Sequence, residues 1–498
     1  MRNFPWLSSF AAAWACLVWL PPTEAADWYV GPTGSNANPG TAALPFREIR
    51  RALTSATAPG STIHVADGSY LGFDMEDFTG TAAAPISIVA SGANAVVVKT
   101  TDRSDNRDTI YVNNCFHVVI DGLRSFSANR AALRVQDGAF VTIRRCVFGD
   151  NTRWGILTGQ SPDLLIEDNE CYGSQIEHGI YVANSGDRPV VRRNRVHDNH
   201  NSGIQLNADF NTPPGDGIIT GALIEGNVIY NNGVGGGGAL NLDGVQDSLI
   251  RNNLFYNNLA SGIIMFMIDG AEGPRGNRVI HNTVDMPSGG RWALSIKNNS
   301  VQNASQRNFV RDNILLQRNP TVRGGLLFGT ADDAANTDSD YNIVNHISDD
   351  DGDENRYTLA EWKASGHEPH SSTGAPATLF IDDVQHCYLL KSGAAALNTG
   401  IALSDAGADY EGRSRLGLVP DPGCYEQGPL SLVLETSLSP TPMLTLGIRA
   451  GTTAQCQLST SPDLATWTPW QTLTRDDHRL VIPIQPGTPA QLFYRASQ

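Results

Sequence analysis

The chain has 498 residues, with 35 Lys and Arg against 51 Asp and Glu, for a formal net charge of -16. That balance argues against a nucleic-acid binder, which draws most of its affinity from a basic patch. An acidic polymer stays within reach only where Arg and Lys cluster or a cation bridges the two.

In chain order, the first segment reads as a secretory signal over residues 1–25. Arg2 supplies the positive start, Phe10 to Leu20 an apolar core, and Thr23-Glu24-Ala25 small residues at a cleavage position. The run is short for a membrane helix, and no later stretch reaches the ~20 apolar residues needed. The expectation is a secreted or periplasmic monomer without a membrane span. Beyond the leader, Cys115, Cys146, Cys171, Cys387, Cys424 and Cys456 are scattered without CxxC pairs, which argues against zinc. Cys146 and Cys171 suit core positions.

A short amphipathic helix is expected over roughly Phe46 to Ala56. A repeat then takes over. The pattern apolar-x-x-Asn recurs with its Asn at Asn169, Asn194, Asn227, Asn253, Asn282 and Asn313, and Leu123 and Cys146 hold that place in two earlier copies. Successive marks lie 23, 23, 25, 33, 26, 29 and 31 residues apart. Between them run alternating segments: Gly179-Ile-Tyr-Val-Ala, Gly203-Ile-Gln-Leu-Asn, Ala239-Leu-Asn-Leu-Asp, Gly262-Ile-Ile-Met-Phe and Ala293-Leu-Ser-Ile-Lys. Alternation with period two is a strand with one buried face. Short strands with a fixed Asn at one corner describe the coils of a β-solenoid, with Asn side chains bonding from coil to coil. A leucine-rich repeat would need a helical half, which is absent. The fold class is therefore all-β, a parallel β-helix.

Stacking these segments predicts two outward columns. One holds Tyr181, Gln205, Asn241, Ile264 and Ser295; the other holds Ala183, Asn207, Asp243, Phe266 and Lys297. Coils step by ~4.8 Å, a length comparable to one sugar residue. Loops after the same strands add Asp209 and Asp216, then Asp269, Glu272 and Arg275. His178 precedes its strand, with His197 and His200 nearby. Each has a plainer reading: Asp in a turn caps backbone, a turn histidine is often structural, and Lys297 could pair with a loop. The acidic run Asp349 to Glu354 lacks the glycine placement of a calcium loop and reads as a solvated insertion. Residues 429–498 alternate in short runs separated by Pro and Gly and read as a small β-sandwich-like domain, in which Trp467 and Trp470 are candidates for sugar stacking or core packing.

The opening residues Trp28-Tyr-Val-Gly-Pro-Thr-Gly-Ser35, Pro45-Phe-Arg-Glu-Ile49 and Gly60 to Tyr70 resemble the start of the pectate-lyase-like right-handed parallel β-helix superfamily. Leu359-Ala-Glu-Trp362, Leu389 to Gly400 and Asp421 to Glu426 resemble its closing coils. The resemblance spans residues 26–428 and implies a capping helix and a secreted, polysaccharide-active protein.

For function, the first expectation is a lyase on a uronate-containing extracellular polysaccharide. Calcium, held by Asp209, Asp216 and Asp243, would neutralise the uronate carboxylate, with Lys297, Asp243 and His178 as catalytic groups. Tyr181, Gln205, Asn207, Asn241, Phe266 and Arg275 would bind substrate. A second expectation is a hydrolase or epimerase using paired aspartates, Asp209 and Asp243. The segments around His178 and Lys297 faintly resemble polygalacturonase signatures, but Asn241-Leu-Asp-Gly244 follows the histidine instead of preceding it. A third is a glycan-binding protein without turnover.

Overall fold

The computed structural model describes residues 24–98 and 107–428, apart from positions 300, 302, 320, 322, 353–354 and 416–418, and six strands between Ser431 and Ser497. Residues 1–23 of the expected signal segment lie outside the described residues. No helix among them is long and apolar enough to cross a membrane.

Three long sheets form the body, two of 12 strands and one of 11. Each coil visits them in turn. Leu165–Glu167 belongs to the first sheet, Glu170–Tyr172 to the second and Ile180–Ala183 to the third, before the chain returns to the first at Val190–Arg192. Strands pair in parallel with the coil before and the coil after. Parallel strands joined through successive crossovers wind right-handed, so the body is the expected right-handed parallel β-helix.

The alternation decides the core. Ile180, Val182, Ile204, Leu206, Leu240, Leu242, Leu294 and Ile296 are all 0% exposed. Burial of this kind stabilises by roughly 1.5–3 kcal/mol per large aliphatic side chain. Helix Ile49–Leu53, shorter than expected, covers the first coil with Ile49, Ala52 and Leu53 buried.

The corner between the first and second sheets explains the Asn spacing. The residue before each ladder Asn takes a left-handed backbone, as at Asp168, Arg193, Gly226, Asn252 and His281, which turns the chain sharply. The Asn then satisfies the corner. Asn227 Nδ2 donates to Asn253 Oδ1 at 2.9 Å and to the Val191 carbonyl at 2.9 Å, while its Oδ1 accepts from Asn194. Where Cys146 replaces Asn, its N–H still donates to Asn169 Oδ1 at 3.0 Å. A second ladder, Asn199, Asn232 and Asn258, fills the corner between the second and third sheets. The spacing of five residues from the first ladder was its signal in the sequence.

The far end departs from expectation. Helix Leu359–Ala364, started by a Thr358–Glu361 capping box, plugs the last coil with Trp362 stacked 6.1 Å from Phe328. Residues 376–428 add no coils. They lie outside the helix against the second sheet, where Phe380, Tyr388, Leu390 and Cys424 pack on Val228, Tyr230, Leu254, Tyr256, Ile314 and Leu316. The physical reason is that the second sheet is apolar on both faces in these coils and needs a cover. Cys115, Cys146, Cys171, Cys387 and Cys424 are buried free thiols. The last six strands form two three-stranded antiparallel sheets, the arrangement expected of a small β-sandwich.

Candidate functional site

The third sheet presents both predicted columns in register. Tyr181 pairs with Gln205, Gln205 with Asn241, Asn241 with Ile264 and Ile264 with Ser295. Ala183, Asn207, Asp243 and Phe266 follow in the second column, and Lys297 sits one residue past the end of Leu294–Ile296.

Outward does not mean open for every member. Loops 208–218 and 267–275 fold over the middle coils, so Asn207, Asn241 and Asp243 are 5%, 7% and 2% exposed. Tyr181, Gln205 and Phe266 stay half-buried and face the groove. Asn241 Nδ2 donates to Gln205 Oε1 at 3.2 Å, which fixes the glutamine.

Asp243 is engaged by the backbone. Its carboxylate accepts the backbone N–H groups of Ile268, Asp269 and Gly270 at 2.9, 3.0 and 3.1 Å and anchors that loop. The other metal candidates are likewise engaged or apart: Asp209 accepts from the N–H of Asn211 and from Thr212, and Asp216 from the N–H of Ile218. Among the described residues no group of three His, Cys, Asp or Glu is placed to hold a metal ion. The donor set therefore does not fit calcium.

His178 and Lys297 do not share a centre. Four coils separate them, about 19 Å at the usual strand spacing. His178 Nδ1 accepts the N–H of Ser202 at 3.1 Å, which places the ring proton on Nε2, 3.5 Å from Glu177 Oε2. Burial pushes this imidazole down to about 4, so at neutral pH it is a donor with no free lone pair. Lys297 pairs with Asp351 of the acidic run. Arg275 pairs with Glu272 at the corner beyond the groove, where its backbone bridges to Gln246.

What the fold does assemble is a centre around Tyr181. His178 meets the phenol ring edge-on at 5.2 Å and Trp154 lies 6.0 Å away. Burial, together with the nearby Asp269 and Asp209 carboxylates, pushes the phenol up to about 12 against the opposing effect of the Asn207 amide. Asn207 Nδ2 also donates to Asp269 Oδ2 at 3.0 Å, and Asp269 stands exposed at the rim. Sequence reasoning named Asp269 only as a loop residue and did not name Trp154. The aspartate's role depends on Asp243 folding the loop back, which no local pattern reveals.

Comparison with known proteins fits this architecture. Residues 76–264 match the family described as periplasmic copper-binding protein (NosD), and residues 32–93 match a protein family of unknown function, DUF1565. The chain is similar to pectate lyase PEL9 of Emericella nidulans, 36% identical over 89 residues, which is 18% of this chain and 22% of that protein. The match thus spans about a fifth of that relative's length. Among solved structures it resembles a rhamnogalacturonan lyase (TM-score 0.43, 16% identity, 58% of this chain and 81% of that one). It also resembles the mannuronan C-5 epimerase AlgE4 A-module of Azotobacter vinelandii (TM-score 0.39, 14% identity, 61% and 88%). Coil architecture and matched segments together show a parallel β-helix that resembles the pectate-lyase-like superfamily.

Proposed function

We propose that this chain is an exported protein that binds an acidic polysaccharide along the outer face of the third sheet and cleaves it by β-elimination at Tyr181. The observation that carries the reading is the placement of the half-buried Tyr181 phenol in the groove, one coil from Gln205 and in the field of the exposed Asp269 carboxylate that Asn207 holds. The phenol is protonated at neutral pH and can give its proton only to a strongly basic oxygen, as the departing glycosidic oxygen becomes.

In the elimination, Asp269 takes the proton from the carbon next to the uronate carboxylate and a carbon–carbon double bond forms. The glycosidic carbon–oxygen bond breaks, and Tyr181 gives its proton to the departing oxygen. Asp269 then returns the proton to the phenol through solvent. The Gln205 amide, fixed by Asn241, is placed to donate to the uronate carboxylate as its charge delocalises. Copper, suggested by one matched family, finds no fitting cluster of His, Cys, Asp or Glu among the described residues.

The test is to incubate the mature protein with pectate, alginate and glycosaminoglycans and follow ultraviolet absorbance of unsaturated products. Absorbance that grows with wild type and falls about 10²-fold with Tyr181→Phe supports the reading. New reducing ends without unsaturation would replace it with hydrolysis. A second reading, binding without turnover, is favoured by one observation: Asp243, His178 and Lys297 are each already engaged within the protein. Tight binding with no new ends would select it.

A further inference from the structure

The column that carries Tyr181 continues toward the N-terminal end of the helix through Leu157, Arg134 and Tyr111. This stretch differs from the rest of an acidic chain. Buried Asp108, 0% exposed in its side chain, is gripped by Arg130 through Nε at 2.7 Å and by the N–H of Ala131 at 3.2 Å. Arg134 lies farther off, its Nη1 4.0 Å from the same carboxylate. One carboxylate thus faces two guanidinium groups, and Arg107 adds a third cation whose field Arg134 feels.

Arg134 is held but not used up. Its Nη2 donates to Gln136 Oε1 at 2.9 Å and its guanidinium lies 5.5 Å over the Tyr111 ring. Its Nε is buried without a hydrogen-bond partner. That nitrogen is out of a ligand's reach, but the side chain is 27% exposed and its remaining Nη hydrogens can serve a planar carboxylate, which would also offset the crowding of like charge. Besides Asp108, acids near this stretch include Asp137, which accepts from the Gln136 amide at 2.9 Å, and Asp74, which pairs with Tyr111 on the next coil. Between Arg134 and Tyr181 the floor is apolar: Leu157 lies in the column, and Trp154 flanks it with the Arg153 guanidinium 5.5 Å from its ring.

We infer that Arg134 is a carboxylate-binding subsite for an acidic sugar two units away from the residue over Tyr181. Two coil steps separate Arg134 from Tyr181, about 10 Å, and the intervening sugar lies over Leu157 and Trp154. The inference rests on the glycan groove proposed above and adds the polarity of the bound chain's charge. It also assigns a specificity determinant to a residue three coils from Gln205.

The experiment is calorimetric titration of the full chain with oligogalacturonates and oligomannuronates from dimer to octamer, using wild type, Arg134→Gln and Arg134→Lys. In wild type, affinity rises about tenfold once the oligomer is long enough to reach Arg134, equivalent to one charge-assisted contact. Arg134→Gln abolishes that rise and leaves the shortest binding oligomer unchanged, while Arg134→Lys keeps part of it. Unchanged melting temperature separates this from misfolding, because Asp108 keeps Arg130. An equal rise in Arg134→Gln overturns the subsite with the groove intact. If no acidic oligomer binds wild type at any length, the groove reading itself falls, and the subsite with it.

Discussion

The second and third sheets are built by the same coils yet meet the outside differently. On the second, the outward positions Val228, Tyr230, Leu254, Tyr256, Ile314 and Leu316 are apolar, and residues 376–428 cover them. On the third, the equivalent positions are Tyr181, Gln205, Asn241 and Asn207, and only their own loops lean over them. Strand pairing sets the frame, but the outward side chain decides whether a face becomes core or site. The aromatic rings show the same split. Tyr172, His197, Tyr230 and Tyr256 stack on one another at 4.7–5.2 Å, which leaves edges outward. Tyr181 meets its neighbours edge-on or tilted and keeps a face toward the groove.

The sharpest way to break this contrast is to damage each face in turn. Phe380→Ala, at a fully buried ring of the cover, should cost about 3–5 kcal/mol in chemical denaturation and leave glycan affinity of the folded fraction unchanged. Tyr181→Phe should do the reverse, lowering turnover about 10²-fold with a melting temperature close to wild type. A Tyr181→Phe protein that loses stability instead would place this tyrosine with the structural rings.

A buried pair beneath the cover also carries a pH signature. His281 Nε2 and Asp312 Oδ2 face each other at 3.4 Å, both fully buried, and the Ile401 N–H from the cover donates to Asp312 Oδ1 at 3.0 Å. Burial pushes the Asp312 carboxyl up to about 7, against the partial opposition of Arg415 and Arg311 and with help from Asp340. The folded state therefore holds a proton that the unfolded chain releases near its ordinary carboxylate value of about 4. Stability from this group is present below that value and is lost as pH rises through 7. Asp312→Asn removes the loss, so its stability relative to wild type should climb from pH 4 to pH 7. A pH-independent difference between the two would remove Asp312 as the source. Glu426, also pushed up to about 7 by burial, keeps part of the trend in either protein.

The smallest expected effect is informative because sequence reasoning made it the largest. Lys297 stands four coils from His178 and pairs with Asp351, whose side chain is 57% exposed. Exposed ion pairs contribute about 0–1 kcal/mol. Lys297→Ala should change turnover less than about twofold, since the charge lies outside the Tyr181 centre. Loss of all product formation would restore Lys297 as the base.

What the sequence made legible was the periodic part. Inward Ile204 and Leu206, outward Gln205 and Asn207, and the Asn corners follow from rules acting within five or six residues. The cover was not legible, because Leu389 to Gly400 and Asp421 to Glu426 read as closing coils until the apolar outside of Val228 and Leu254 is known. The role of Asp243 was hidden for a similar reason: its partners are backbone N–H groups 25 to 27 residues onward. The columns were right, and the chemistry assigned to them needed the loops.

The most direct measurement is hydroxyl-radical footprinting of the protein with and without a long oligogalacturonate or oligomannuronate. The account predicts protection of Trp154, Tyr181 and Phe266 on the third sheet, with Tyr172 and Tyr230 on the second unchanged. Protection confined to the second sheet, or none at ligand concentrations that saturate binding, would contradict it.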